Sequence, residues 1–279
     1  MQKDASLLDT IKAYMASGKA VLPVFSATSL KIQREAAKAE PDTGVIERMI
    51  ICDPSLTSQI LRISNSAFYK GLQKVSTVRA AIVRLGNQEI ANIAILVSQK
   101  KQFKAHEPFV RALMQQLWRH SVSTAVSAQW IAHRCGLKAR AQEAFTAGLL
   151  HDMGKLLILT VTDAVKRNGT LHEMPAVVLL SEVMDTFHAP YGYALLRYWN
   201  LPKAYCRIAR DHHKPEIAKG DDLMAIIRLA DRTTNSLGIG LRGTEACVLA
   251  ATPEADYFGL DEIALAELEI KLEDAKVFW

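Results

Sequence analysis

The sequence predicts an all-α protein built as two helical lobes. Apolar residues recur at spacings of three and four along most of the chain, as at Ile46, Met49 and Ile50 and again at Ile60 and Leu61, and that is the helical period. Strand-like alternation joined by hairpin dipeptides is scarce. Hydrophobic residues make up 49% of the 279, enough for a sizeable core.

The elements follow in order. Asp53 is a natural cap for a helix with Pro54 in its first turn and the run Leu56 to Ile63 behind it, ending near Asn65-Ser66. Ser76 precedes a second run, Val78 to Leu85, which Gly86 ends, and Gln88 to Val97 reads as another apolar helix. Residues 99–108, QKKQFKAHEP, are polar and closed by proline. This places a boundary near residue 105, giving an N-terminal lobe over 1–105 and a second, helical-bundle lobe over 106–279.

The second lobe opens with a long helix from Leu113 to His133, in which Leu117, Val122, Ala125 and Val126 face inward. Breaks are expected at Cys135-Gly136, Arg167-Asn168-Gly169, Asn200-Leu201-Pro202 and Lys214-Pro215. The stretch from Leu260 to Leu272 reads as an amphipathic final helix with acidic residues in its first turn. Trp118, Trp130 and Trp199 sit in apolar settings as core anchors, while His106, His133 and His172 lie in polar segments and are expected at the surface.

Lys plus Arg outnumber Asp plus Glu by 34 to 29, a net charge of +5, which favours anionic partners such as phosphates. The basic residues are scattered, and Lys100, Lys101 and Lys104 read as a solvated junction, so nucleic acid is not the expected partner. Cys52, Cys135, Cys206 and Cys247 are too far apart for a disulfide framework and suit a reducing compartment. No signal-peptide core is visible and no apolar run approaches the ~18 residues of a membrane span. The expected location is cytoplasmic, with no membrane.

Candidate chemistry centres on His151-Asp152, which follows the apolar run Ala147 to Leu150. A carboxylate on an inward face is costly unless paired or bound to a metal. Imidazole and carboxylate together suit Zn, Mn, Fe, Co or Ni, and a carboxylate can bridge two ions. Lys155 shares the helical face of His151 and Asp152 and is placed to meet a phosphate oxygen. His120, His188, the tandem His212-His213 and Asp231 extend the series. Each imidazole taken singly reads more readily as a core or capping residue satisfied by the backbone; it is their grouping that points to a metal, and spacings this long do not establish convergence.

The order of segments resembles a known family. Residues 51–69, ICDPSLTSQILRISNSAFY, and 80–86, AAIVRLG, look like the first lobe of the HDOD domain of bacterial regulatory proteins. Residues 117–121, LWRHS, 147–155, AGLLHDMGK, 199–202, WNLP, and the pair His212-His213 continue the likeness, which covers residues 20–240. HDOD domains are similar to the HD phosphohydrolases and the HD-GYP phosphodiesterases. The resemblance implies a metal set of His120, His151, Asp152, His188, His212, His213 and Asp231, holding one or two divalent ions (Fe, Mn, Ni or Zn), with Asp152 and Lys155 as catalytic residues. It leaves Glu182 as either an orienting partner of His188 or a solvated residue. Residues 214–222, KPEIAKGDD, depart from the HD-GYP pattern after the double histidine, so cyclic di-GMP hydrolysis is not implied.

The expected function is therefore a signal-transduction module, with a metal-dependent phosphohydrolase acting on a nucleotide or other phosphoester as the alternative. No receiver, kinase or cyclase segment is visible in the sequence. Input and output are expected through a protein partner in a signalling pathway or a small phosphorylated ligand. A homodimer is compatible with the sequence but not specified by it.

Overall fold

The computed structural model describes residues 7–17, 22–69, 73–214, 216–241 and 247–279. Among them the ordered elements are all helices, with no strand, so the all-α expectation holds. The first group is α1 (Leu7–Ala16), α2 (Ala27–Ala36), α3 (Thr43–Ile51), α4 (Pro54–Ser64), α5 (Val78–Leu85) and α6 (Asn87–Lys100). Ser26, Asp42, Asp53 and Thr77 each accept a backbone N–H in the first turn of α2, α3, α4 and α5. At α5 the cap is Thr77, whose hydroxyl accepts Ala80 N–H at 3.1 Å, rather than the preceding Ser76.

Asn65 closes α4 and holds the chain beyond it. Its amide donates to the carbonyls of Leu61 and Val75 at 2.8 and 2.9 Å, and its oxygen accepts Val75 N–H. Gly86, at φ 86°, then lets the chain bend by 118° between α5 and α6, a conformation that a side chain would strain. Ile90 to Val97 are buried without interruption where α6 packs on α2 and α4.

The second group is α7 (Pro108–Arg134), α8 (Ala141–Leu150), α9 (Met153–Arg167), α10 (Val177–Tyr198), α11 (Lys203–Asp211), α12 (Asp222–Ser236), α13 (Pro253–Phe258) and α14 (Glu262–Asp274). α8 lies among α7, α11 and α12, and α10 packs on α9 and α11. α1 crosses to rest on α9. A 3-10 turn after α14, Ala275–Phe278, brings Phe278 edge-on to Phe68 at 5.0 Å, and the Phe278 carbonyl accepts the Trp118 indole N–H at 2.9 Å.

α7 starts at Pro108, ahead of the Leu113 expected from sequence. Its entry is held by a distant side chain: the buried Asp163 on α9 accepts the backbone N–H groups of His106 and Glu107 at 2.9 and 2.8 Å. Asp163→Ala strands both donors and is expected to lower the unfolding free energy by about 2 kcal/mol. A urea titration reads this directly, and an unchanged midpoint would contradict the role.

The expected breaks at 135–136, 167–169 and 200–202 coincide with the ends of α7, α9 and α10. At the 214–215 break, Pro215 lies outside the described residues. Residues 138–167, which take in α8, α9 and the break between them, are long and apolar enough by length and composition to cross a membrane. The most apolar window of that stretch is 94% buried inside the protein, because α8 and α9 form the centre of the bundle and meet other helices on every side.

Candidate metal centre

Three helices and two helix junctions bring the sequence-selected His and Asp residues to one place. His120 comes from the middle of α7, His188 from α10 and Asp231 from α12. His151 and Asp152 occupy the short break between α8 and α9, and His212-His213 follow the last turn of α11. His120, His151, Asp152, His188, His212 and Asp231 are all buried, whereas His213 is exposed.

Asp152 joins two clusters. In one, the donor atoms of Asp152, His188, His212 and His213 all lie within 4.8 Å of one another, and in the other those of His120, His151 and Asp231 do the same. Asp152 Oδ1 lies 3.5 Å from His188 Nε2 and 3.6 Å from His212 Nε2. Its Oδ2 lies 3.5 Å from both His120 Nε2 and His151 Nε2. Asp231 Oδ1 closes the second cluster at 3.1 Å from His120 Nε2.

The other nitrogen of each ring is committed to the backbone. The Nδ1 atoms of His120, His151, His188 and His212 face the carbonyls of Ile239, Gly148, Met184 and Ile208 at 3.1, 2.7, 2.7 and 3.0 Å. A carbonyl only accepts, so each Nδ1 carries the proton and each Nε2 turns a lone pair inward. The His120 and His151 Nε2 atoms are 3.3 Å apart, and Asp152 Oδ1, His188 Nε2 and His212 Nε2 have no hydrogen-bond partner. Acceptors thus outnumber donors at the centre. A cation is what such a set fits.

One cation is already adjacent: Lys155 Nζ donates to Asp152 Oδ2 at 2.6 Å. Burial works against the Asp152 charge most strongly, yet Lys155, with the edges of His151, His212 and His188, holds the carboxyl well below its usual range. Burial works against the Asp231 charge too, but the neighbouring His120 and His151 rings outweigh it and the carboxyl is held well below its usual range. Burial, with Lys155 and His212 nearby, pushes His188 down to about 4 against the pull of Asp152. His213 is exposed as a residue, but its ring packs against His212 and His188, and this burial, with His212 beside it, lowers it to about 3.

A pH dependence of the metal-free protein follows. His188 falls from an ordinary value of 6.5 to about 4, so between those values the unfolded chain binds more protons than the folded one, and stability is lost as pH falls through this window. Urea midpoints measured with chelator at pH 7, 6 and 5 should decline in that order. A flat or rising series would contradict the neutral, buried state of this ring.

Close helix contacts set the geometry. A Cβ on Gly154 would lie 1.8 Å from the His188 carbonyl oxygen, and one on Gly148 would lie 2.9 Å from Ala125 Cα. Main chains therefore meet where α9 crosses α10 and where α8 crosses α7. Pro190, inside α10, removes a helical N–H one half-turn beyond His188.

The sequence reading missed several supports. Asn235, one turn after Asp231, donates to Asp231 Oδ1 at 3.0 Å, a pairing that the four-residue spacing could have revealed. Arg228 is buried with Glu254 at 2.7 Å and donates to the carbonyl of Lys214, next to His213. No local pattern announces that link between α12 and α13. Glu182 is exposed and His188 Nδ1 is taken by Met184, so of the two readings of Glu182 the solvated one holds. His106, His133 and His172 are exposed, as expected.

The architecture is that of an all-helical domain enclosing a His/Asp cluster carried by the helices from α7 to α12. The HDOD domain model matches residues 22–215, and the chain belongs to the HDOD family. An HDOD domain protein of unknown function from Geobacter sulfurreducens is 22% identical, with a TM-score of 0.77 over 98% of this chain and 97% of that one. A Shewanella amazonensis SB2B protein provisionally named a metal-dependent phosphohydrolase is 19% identical, with a TM-score of 0.67 over 95% of this chain and 97% of the other. These likenesses show the fold. An uncharacterized protein of Treponema pallidum (strain Nichols) is 25% identical over 201 residues, which are 69% of this chain but only 37% of that protein.

Proposed function

We propose that this HDOD domain is a signalling module whose His/Asp cluster holds one or two divalent transition-metal ions and receives the phosphate of a small ligand. The observation that carries the reading is the fixed orientation of four imidazoles, with every Nδ1 on a carbonyl and every Nε2 facing the ionised Asp152, those of His120 and His151 also facing Asp231. Nitrogen and carboxylate donors in this mixture suit Fe, Mn, Ni or Zn. His120, His151 and Asp231 would hold one ion, and His188, His212 and His213 a second, with Asp152 between them. Metal so held would polarise a phosphoryl oxygen and acidify bound water. Lys155 keeps Asp152 ionised and supplies a positive charge beside the phosphate. The signalling part of the reading rests on family membership, and free cysteines among the described residues suit a cytoplasmic setting.

The test is calorimetric titration of inorganic phosphate into protein loaded with manganese or zinc. Binding should require the metal, disappear in His188→Ala and weaken about tenfold in Lys155→Ala. Metal-loaded protein that ignores phosphate would contradict the reading. The complete donor set also favours a second role, hydrolysis of a phosphoester. That role requires release of phosphate from at least one member of a nucleotide and phosphomonoester panel, with loss in Asp152→Ala, and a panel without turnover would exclude those substrates while leaving ligand binding intact.

A further inference from the structure

The basic residues of the junction after α6 do not simply face water. Lys100, Lys101 and Lys104 join Arg62 of α4 around a cavity of about 250 Å³. Its floor is apolar, formed by Leu96 of α6, Trp118 of α7 and Phe278 beyond α14. Local sequence shows three of the four cations, and only the fold adds the fourth.

The charges around this cavity are poorly balanced. Among the described residues, the one side-chain carboxylate paired with any of the four is Asp53, 3.9 Å from Lys101. Arg62 donates to the neutral Gln59 side chain, and Lys100 donates to the Phe278 carbonyl and to a carboxyl oxygen of Trp279 at 3.3 and 2.8 Å. Burial and then Arg62 push Lys100 below its ordinary value, as expected of a partly buried cation beside another. Cations at a rim and a recessed apolar floor are complementary to a small molecule with an anionic end and an apolar body.

We propose that this cavity is a second ligand site, for a small organic phosphate whose apolar or aromatic body rests on Trp118, Leu96 and Phe278 while Arg62 and the lysines hold its phosphate. The site is separate from the His/Asp cluster and does not depend on the metal reading. Trp118 and His120 are two positions apart on α7 and therefore point to nearly opposite sides of it. The ligand would sit where α4, α6, α7 and the segment after α14 come together.

The test is calorimetric titration of phenyl phosphate into the full chain with excess chelator, which removes metal from the other site. Saturable one-to-one binding is expected, about tenfold or more weaker in Arg62→Ala and in Lys104→Ala and unchanged in His188→Ala. Both cationic positions are exposed, and circular dichroism checks that the variants fold. Inorganic phosphate should bind at least tenfold more weakly than phenyl phosphate, because it leaves the apolar floor uncovered. The proposal is overturned by absence of saturable binding, by binding indifferent to Arg62 and Lys104, by binding that is lost in His188→Ala, or by equal affinity for inorganic phosphate. Capture of an acidic peptide or RNA without phenyl phosphate binding would likewise overturn it.

Discussion

Gly154→Ala is expected to lower the unfolding free energy by about 3 kcal/mol or more and to weaken metal binding at the same time. The added Cβ would fall 1.8 Å from the His188 carbonyl oxygen and 2.7 Å from the Gly192 nitrogen. These are main-chain atoms inside α10, so no rotamer change can clear them, and a close-packed interior transmits the displacement. α10 must move away from α9, carrying His188 from Asp152, which now lies 3.5 Å from its Nε2. Urea unfolding with chelator measures the first effect and a metal titration the second. A variant matching wild type in both would contradict the described contact between the two helices.

Asp152→Ala is expected to reduce metal affinity by about a hundredfold or more, beyond the loss usual for groups that only orient a ligand. Its two oxygens face different pairs of imidazoles, Oδ1 toward His188 and His212 and Oδ2 toward His120 and His151. One substitution therefore weakens both halves of the centre. Asp152→Asn keeps the shape and removes the charge, so a comparable loss there shows that the charge matters. Competitive titration against a chromophoric chelator gives both constants, and wild-type affinity in either variant would count against the bridging position.

The parts of the fold legible in sequence were those decided locally. Asp53-Pro54 marked the start of α4, Gly86 the end of α5, and the acidic first turn the start of α14, because a cap or a positive φ is set by residues within one turn. The start of α7 was misplaced because its entry is held by Asp163, from a helix far along the chain. The α8 and α9 region matches a span by length and composition because helices at the centre of a bundle are largely apolar, and only their burial tells them apart.

The site shows the same division. The His/Asp pattern and the family resemblance singled out the residues that the fold brings together, and burial of Asp152 followed from the apolar run before it. What sequence did not reveal was the orientation of the rings, since Gly148, Met184, Ile208 and Ile239 contribute only carbonyls, which every residue possesses. The Arg228 and Glu254 pair and the cavity beneath Arg62 likewise depend on contacts between distant segments.

The most direct test of the metal centre is elemental analysis of wild-type protein purified without chelator, followed by titration of the stripped protein with iron, manganese, nickel and zinc salts. One to two equivalents of a transition metal should copurify or rebind tightly, and be lost in the His151→Ala, Asp152→Ala double variant. A folded wild-type protein that carries no metal and takes up none of the four would contradict the assignment of the His/Asp cluster as a metal centre.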